Sequence, residues 1–306
     1  GGAGQFNIMQ RSGESAPVII IGGGLIENVG TVNVTGDPDG SSIKFDSPDS
    51  VLCGTGTVLL SNGGSIKGYA GPEPFTFCSY NTVRGTGEAM DQYFFSTSSA
   101  INNVGTFRAE GGGNQLLITS ANKILNQGVF ESLVDTDYSL YGDRFESRVG
   151  SLVAAEGSGS RVFLSFDDTE HAGLIRAGNG GYINIAPWNL ASAMWHAGQS
   201  LTNDVGFFRA EDAGSELELQ DLEFTGGCFF IGGGGALAAF DTNFAGTVFH
   251  IGDFNESQVD AASGTFTLNG ANQIFNRVCF TNFGTVRIPG QVEFFDNIIF
   301  ANNGTV

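Results

Sequence analysis

The stretch INNVGTFRAEGGGNQLLI, residues 101–118, is followed by ILNQGVFES, residues 124–132, and the two share one phrase. It runs Asn, any residue, Gly, then apolar residues alternating with small or polar ones. Outward from this pair the phrase returns as NVGTVNV at Asn28, HAGLIRAG at His171, NFGTVRI at Asn282 and NGTV at Asn303, with variants at Arg148, Asp204 and Phe244. The glycines mark a period. Gly105, Gly128, Gly150 and Gly173 recur at intervals of 23, 22 and 23, and Gly284 precedes Gly304 by 20. Gly206 to Gly246 is two periods of 20.

Within a period a second alternating run follows the first, as in NQLLITS after Gly113, SRVFLSF after Gly159, YINIAP after Gly181 and SELELQD after Gly214. Alternation with period two describes strands with one buried face, and no stretch sustains the 3.6 period of a helix. Short strands recurring at the glycine period, 20–23, between Gly, Asn and Asp turns describe the coils of a β-solenoid. The expected fold is all-β: a single right-handed parallel β-helix over residues 1–306, of about 14 coils and on the order of 65 Å long at the usual strand spacing. The repeated Asn28, Asn103, Asn126, His171, Asn282 and Asn303 are expected as corner ladders. Gly105, Gly128, Gly150, Gly173, Gly284 and Gly304 are expected at bends that need positive φ.

Composition narrows the function. The chain has 306 residues, 47 of them Gly and 27 Phe, with 13 basic against 32 acidic residues and a net charge of −19. Such a balance disfavours nucleic acid and anionic membranes, both of which need clustered Lys and Arg. No apolar run reaches the roughly 18 residues of a membrane span, so no membrane insertion is expected. Cys53, Cys78, Cys228 and Cys279 form no C-x-x-C, and their pairing stays open. GDPDGSS, with Asp37 and Asp39, starts like a calcium loop but lacks the downstream Glu, so no metal and no cofactor are expected.

GTGTVLLSNGGSIKG (54–68), NTVRGTGEA (81–89) and the phrases at 101–118 and 124–132 resemble the degenerate repeats of autotransporter and filamentous-haemagglutinin-like surface adhesins and secreted repeat proteins. The resemblance covers most of the chain and implies an extracellular, structural or adhesive role, with no catalytic residue to carry over.

Two features stand outside the repeat. Between Gly173 and Gly206 the spacing is 33, and the extra residues carry APWNLASAMWHAGQS, with Trp188, Trp195 and His196. Inserted loops are where solenoids place recognition residues, so these three are the candidates for binding a glycan or another cell-surface ligand, set against a loop that merely covers apolar surface. FDDTEH, with Asp167, Asp168, Glu170 and His171, is the richest catalytic candidate, since glycoside hydrolysis needs two carboxyl groups facing one sugar. His171 also stands at a ladder position, which explains it without chemistry. The main expectation is a non-enzymatic surface protein, with a carbohydrate-active β-helix enzyme as the alternative. NGTV at the C-terminus reads on into GGAGQFNI at the N-terminus as one nearly regular coil. That continuity raises two expectations: self-association end to end into a filament, or membership of a longer solenoid.

Overall fold

The computed structural model describes residues 5–9, 18–21, 24–35, 41–45, 51–61, 64–67, 76–86, 91–97, 100–110, 114–188, 192–197, 206–251, 265–269, 271–275, 279–282, 285–289, 291–294, 299–302 and 304–306. All regular structure among them is strand, every pairing is parallel, and no helix is long and apolar enough to cross a membrane. The chain is a β-solenoid.

Each coil contributes to three faces. The first is a thirteen-stranded sheet running from Gln5–Met9 to Ile299–Asn302, one strand per coil. The second begins with Val18–Ile21, Ser42–Phe45 and Ser65–Lys67, and its later members include Tyr182–Ala186, Glu216–Gln220 and Ala236–Phe240. The third includes Ala193–Ala197, Leu222–Gly226 and Asn243–Ala245. In three middle coils the second and third faces join in single long strands, Asn114–Asn126, Thr136–Ser147 and Arg161–His171.

Register gives the coil lengths directly. On the first face Gln5 faces Thr31 and Thr31 faces Thr57, a step of 26 each time, and the step falls to 23 from Thr106 to Val129 and to 20 from Cys228 to Val248. The N-terminal coils are therefore wider than the expected 20–23. The step of 33 appears between Leu174 and Phe207. A second long step, of 31 between Val248 and Cys279, carries an insertion that no pair of repeat glycines had marked.

Alternation along each strand fixes the core. In Thr106–Ala109, Val129–Ser132 and Tyr182–Ala186 every second side chain is buried, and these side chains stack on their equivalents one coil away. The inward row Val58, Val83, Phe107, Phe130, Val153, Ile175, Phe208, Phe229 and Phe249 runs through the first face almost fully enclosed. Burial of this continuous apolar column is the main term holding neighbouring coils together.

The glycines divide into two kinds. Gly150 has the expected left-handed backbone, φ 85°, but Gly105, Gly128 and Gly173 do not. They are required for another reason: a Cβ on Gly105 would stand 2.2 Å from the carbonyl oxygen of Asn81, and one on Gly128 would stand 2.1 Å from that of Gly105. Adjacent coils approach too closely there for any side chain. Left-handed backbone concentrates instead at the turns leaving the first face, at Gly157 and Gly159, Asn179 and Gly180, Asp212 and Gly214, and Gly233 and Gly234. Gly284 lies outside the described residues, and Gly304 lies in a bend.

Candidate functional site

The corner between the third face and the first carries the polar residues of the repeat. Asn103 and Asn126, both fully buried, face each other across coils, with Asn103 Nδ2 donating to Asn126 Oδ1 at 2.9 Å. The Asn103 and Asn126 amides also donate to the carbonyls of Val129 and Leu152 at 3.2 Å, and their Oδ1 atoms accept the N–H groups of Gly105 and Gly128. Ser147 and His171 continue the same register, and the Ser147 hydroxyl bonds to His171 Nδ1. Asn28 makes the same contacts further up, to Thr57 and Gly30. These side chains satisfy backbone groups where the ladder breaks at a bend, a structural duty that accounts for Asn without a ligand. The side chain of Asn282 and all of Asn303 lie outside the described residues.

His171 is enclosed between the Ser147 hydroxyl, the Phe208 ring at 4.9 Å and the Phe207 carbonyl at 3.4 Å from Nε2. Burial lowers its pKa to about 4, the carbonyl opposing the shift, so the ring is neutral at ordinary pH. Its neighbours in FDDTEH point elsewhere. Asp168 and Glu170 lie against Arg144 on the outer surface, at 3.2 and 2.6 Å, and Asp167 Oδ1 accepts the backbone N–H of Trp188 at 3.0 Å. The solenoid wall separates the imidazole from the carboxylates. They do not converge on one substrate.

The insertion also divides. Trp195 is fully buried, stacked 5.8 Å from Phe224 and 6.4 Å from Phe208, so it belongs to the core and cannot present itself to a glycan as expected. Its strand, Ala193–Ala197, alternates inward Ala, Trp and Ala with outward Met194 and His196, so the period-two signal for burial was present in the sequence. His196 is exposed on the third face opposite Glu170 and Thr225. Trp188, 40% exposed, lies on the outer surface with its ring 4.8 Å from that of Tyr141. The structure thus brings none of Trp188, Trp195 and His196 together as one surface. Among the described residues no three His, Cys, Asp or Glu side chains are grouped to hold a metal ion, and Asp37 and Asp39 fall outside them. Cys53 is not in a disulfide, and the side chains of Cys78 and Cys279 are outside the described residues.

Comparison with known proteins gives little to set beside this geometry. Neither a family model nor a curated protein matches the chain. A crystal structure of a TibC-catalysed hyper-glycosylated TibA55-350 fragment matches over 95% of this chain and 97% of its own, at 12% identity and a TM-score of 0.35. That likeness is too distant to transfer a function.

The outer side of the first face carries Arg108, Arg176 and Arg209 at equivalent register positions. Along the outer side of the first face Arg108 pairs with Glu131 at 2.5 Å, Arg176 with Glu156 at 2.5 Å, and Arg209 with Glu211 at 3.0 Å, while Arg84 pairs with Glu110. A second group lies at the end of the third face. Glu146, 8% exposed at its side chain, meets Lys123 at 2.7 Å, Arg144 at 3.0 Å and Arg148 at 3.4 Å. Burial opposes its ionisation, but the Lys123 hydrogen bond and the three cations outweigh this and hold the carboxyl below its ordinary range. Side chains one coil apart, such as Arg108 and Glu131 or Asp137 and Arg161, carry opposite charge, and that recurrence at the repeat period was the available signal.

Proposed function

We propose that the chain is a non-enzymatic, extracellular structural or adhesive solenoid of the kind displayed on cell surfaces. The observation that carries this reading is the way its strongest catalytic candidate comes apart, with neutral His171 sealed in the core and its carboxylates engaged by Arg144 and Trp188 outside. Several arginines of the outer faces pair with a carboxylate one coil away, which ties neighbouring coils together. A net charge of −19 keeps such rods apart laterally, as suits a protein held at an open surface. End-to-end association into a filament belongs to the same reading, because all the strands pair in parallel and such a ladder can be continued by another solenoid.

The test is a glycan-degradation screen over neutral and acidic polysaccharides, with and without Ca²⁺. The expected result is no release of reducing ends or unsaturated products. Release abolished by Asp168→Asn or Glu170→Gln would replace this reading with an enzyme. Electron microscopy and sedimentation at high concentration test the filament: unbranched rods are expected, and a monodisperse monomer would remove that part.

A further inference from the structure

The outer side of the second face changes character at the coils where the long strands end. Over three successive coils it presents Tyr141, Phe163 and Tyr182, and Trp188 folds back onto Tyr141. The register explains how. Tyr141 faces Ser165, which faces Ala186, so two small residues leave room for the chain after Ala186 to turn and lay Trp188 against Tyr141 two coils away. Phe163 meets Tyr182 edge-on at 6.2 Å, and Ser139, beside Phe163 on the same outer side, is fully covered. The result is two aromatic pairs, Tyr141 with Trp188 and Phe163 with Tyr182, on one outer face, within a patch about 13 Å along the strand and about 10 Å along the axis by ordinary strand spacings.

Polar groups rim it. Asp167 holds the Trp188 backbone at 3.0 Å, Asn184 donates to Glu218 at 3.1 Å, and Glu216 stands one register step from Tyr182. Arg161 lies over the Phe163 ring and is held by Asp137 through two bonds of 2.7 Å. The rim thus carries four carboxylates, Asp137, Asp167, Glu216 and Glu218, against one guanidinium, which Asp137 engages. Partly exposed rings with fixed amide and carboxylate neighbours suit a ligand that has an apolar face and a ring of hydroxyls, which describes a sugar: its axial C–H groups pack on the rings and its hydroxyls bridge the acceptors. The excess of carboxylates repels an anionic glycan. Trp188 is held through both its backbone and its ring, so little side-chain freedom is lost on binding.

We propose that Tyr141, Phe163, Tyr182 and Trp188 form a binding surface for a neutral oligosaccharide lying across the second face. This gives the adhesive reading above a ligand class and a place, yet it stands apart from that reading in its test, which measures binding and not turnover. The full chain is titrated with cellohexaose, xylohexaose and mannohexaose by isothermal calorimetry, with polygalacturonate and hexalysine as charged comparators. At least one neutral oligomer is expected to bind saturably, at about millimolar affinity or tighter. Trp188→Ala and Phe163→Ala should each weaken it at least tenfold, whereas Phe230→Ala, on the first face, should leave it unchanged. Emission from the buried Trp195 reports that each variant is folded. Absence of binding by all three neutral oligomers, parental affinity in Trp188→Ala, or equal affinity for either charged comparator would overturn the proposal. Products appearing during the titration would instead refute the non-enzymatic reading while leaving the surface in place.

Discussion

Between Asn103 and His171 the corner of each coil is closed by a buried polar side chain bonded to the next coil, whereas beyond it Ala197 and Gly226 stand opposite each other, the buried Thr247 hydroxyl reaches the Gly226 carbonyl, and rings fill the core behind. In that C-terminal region Phe208, Phe229 and Phe249 stack along the axis at 4.5 and 5.1 Å with their planes nearly parallel. A second column, Trp195, Phe224 and Phe244, stacks beside it, and the two columns meet edge to face, as Phe224 does Phe229 at 63° and Phe244 does Phe249 at 81°. The change goes with coil size. The wider coils, such as those from Val129 to Leu152 and on to Leu174, leave an arc of backbone at the bend whose N–H and C=O groups need amide partners. The narrower ones, from Phe207 to Cys228 and on to Val248, shorten that arc. One fold is thus held together by hydrogen-bonded side chains in one region and by ring packing in another, and the two should fail differently.

Deleting a ring should have the largest effect. Phe229 touches Phe208, Phe249, Phe224 and Phe244 at once, so Phe229→Ala leaves a cavity that stacked neighbours cannot collapse to fill, at a cost of about 3–5 kcal/mol. Because solenoid coils interact mainly with their neighbours, hydrogen exchange should rise around the coils of Phe208, Phe229 and Phe249 and stay near parental around Phe107. Uniform loss across both regions would show that the solenoid behaves as one cooperative unit and that the regional contrast has no energetic meaning.

The corner should respond to pH where the aromatic core does not. His171 is neutral in the fold with a pKa of about 4, against about 6.5 when unfolded. Below pH 6.5 the unfolded chain takes up a proton that the folded chain refuses, so this stabilisation is complete above 6.5 and is lost as pH falls toward 4. The full loss is about 3 kcal/mol. Urea unfolding from pH 7 to 4 checks it, and His171→Asn, which places at this position the residue found at Asn126, should flatten that part of the profile. An unchanged slope in the variant would assign the acid sensitivity to carboxylates instead.

Within the amide ladder the expected cost is smaller. Asn126→Ala removes the acceptor of Gly128 N–H and the partner of Asn103, but Asn103 keeps its bond to the Val129 carbonyl. About 1–3 kcal/mol follows from the groups left unsatisfied, read as a lower urea midpoint at constant slope.

How much of this was legible in the sequence depends on what each residue type encodes. The Asn-x-Gly phrase and the alternation after it pointed to the solenoid, because a repeat that must stack on itself shows its period. Gly105, Gly128 and Gly173 were placed at the bend but for the wrong reason, since close approach and positive φ both demand Gly and leave the same letter. Trp195 was assigned to a surface because the insertion around it read as loop, although AMWHA alternates like a strand. The insertion after Ile251 was missed because Gly246 and Gly284, which bracket it, stand 38 apart and so resemble two ordinary periods. The aromatic surface around Trp188 was not legible at all, for Tyr141, Phe163 and Tyr182 belong to three different coils and become neighbours only through register.

The smallest expected effect separates the regions on their outer side. In the middle coils Arg176 pairs with Glu156 at 2.5 Å, both partly solvated, whereas among the aromatic coils Arg209 also lies 5.2 Å over the Phe230 ring. Exposed ion pairs and cation–ring contacts each contribute about 0.5–1 kcal/mol, so stability alone hardly distinguishes them. Salt does. At 1 M the screening length is about 3 Å, which removes most of an exposed carboxylate–guanidinium attraction, while a guanidinium packed on a ring keeps its dispersion contact and excluded water. A double-mutant cycle of Arg176→Ala with Glu156→Ala should therefore lose most of its coupling between 0.05 and 1 M salt, in the range of about 0.5 kcal/mol falling toward zero. The cycle of Arg209→Ala with Phe230→Leu should retain about half or more of its own. Equal salt dependence in the two cycles would mean that the outer stripe is one electrostatic array along its whole length, and that the difference between the regions is confined to the core.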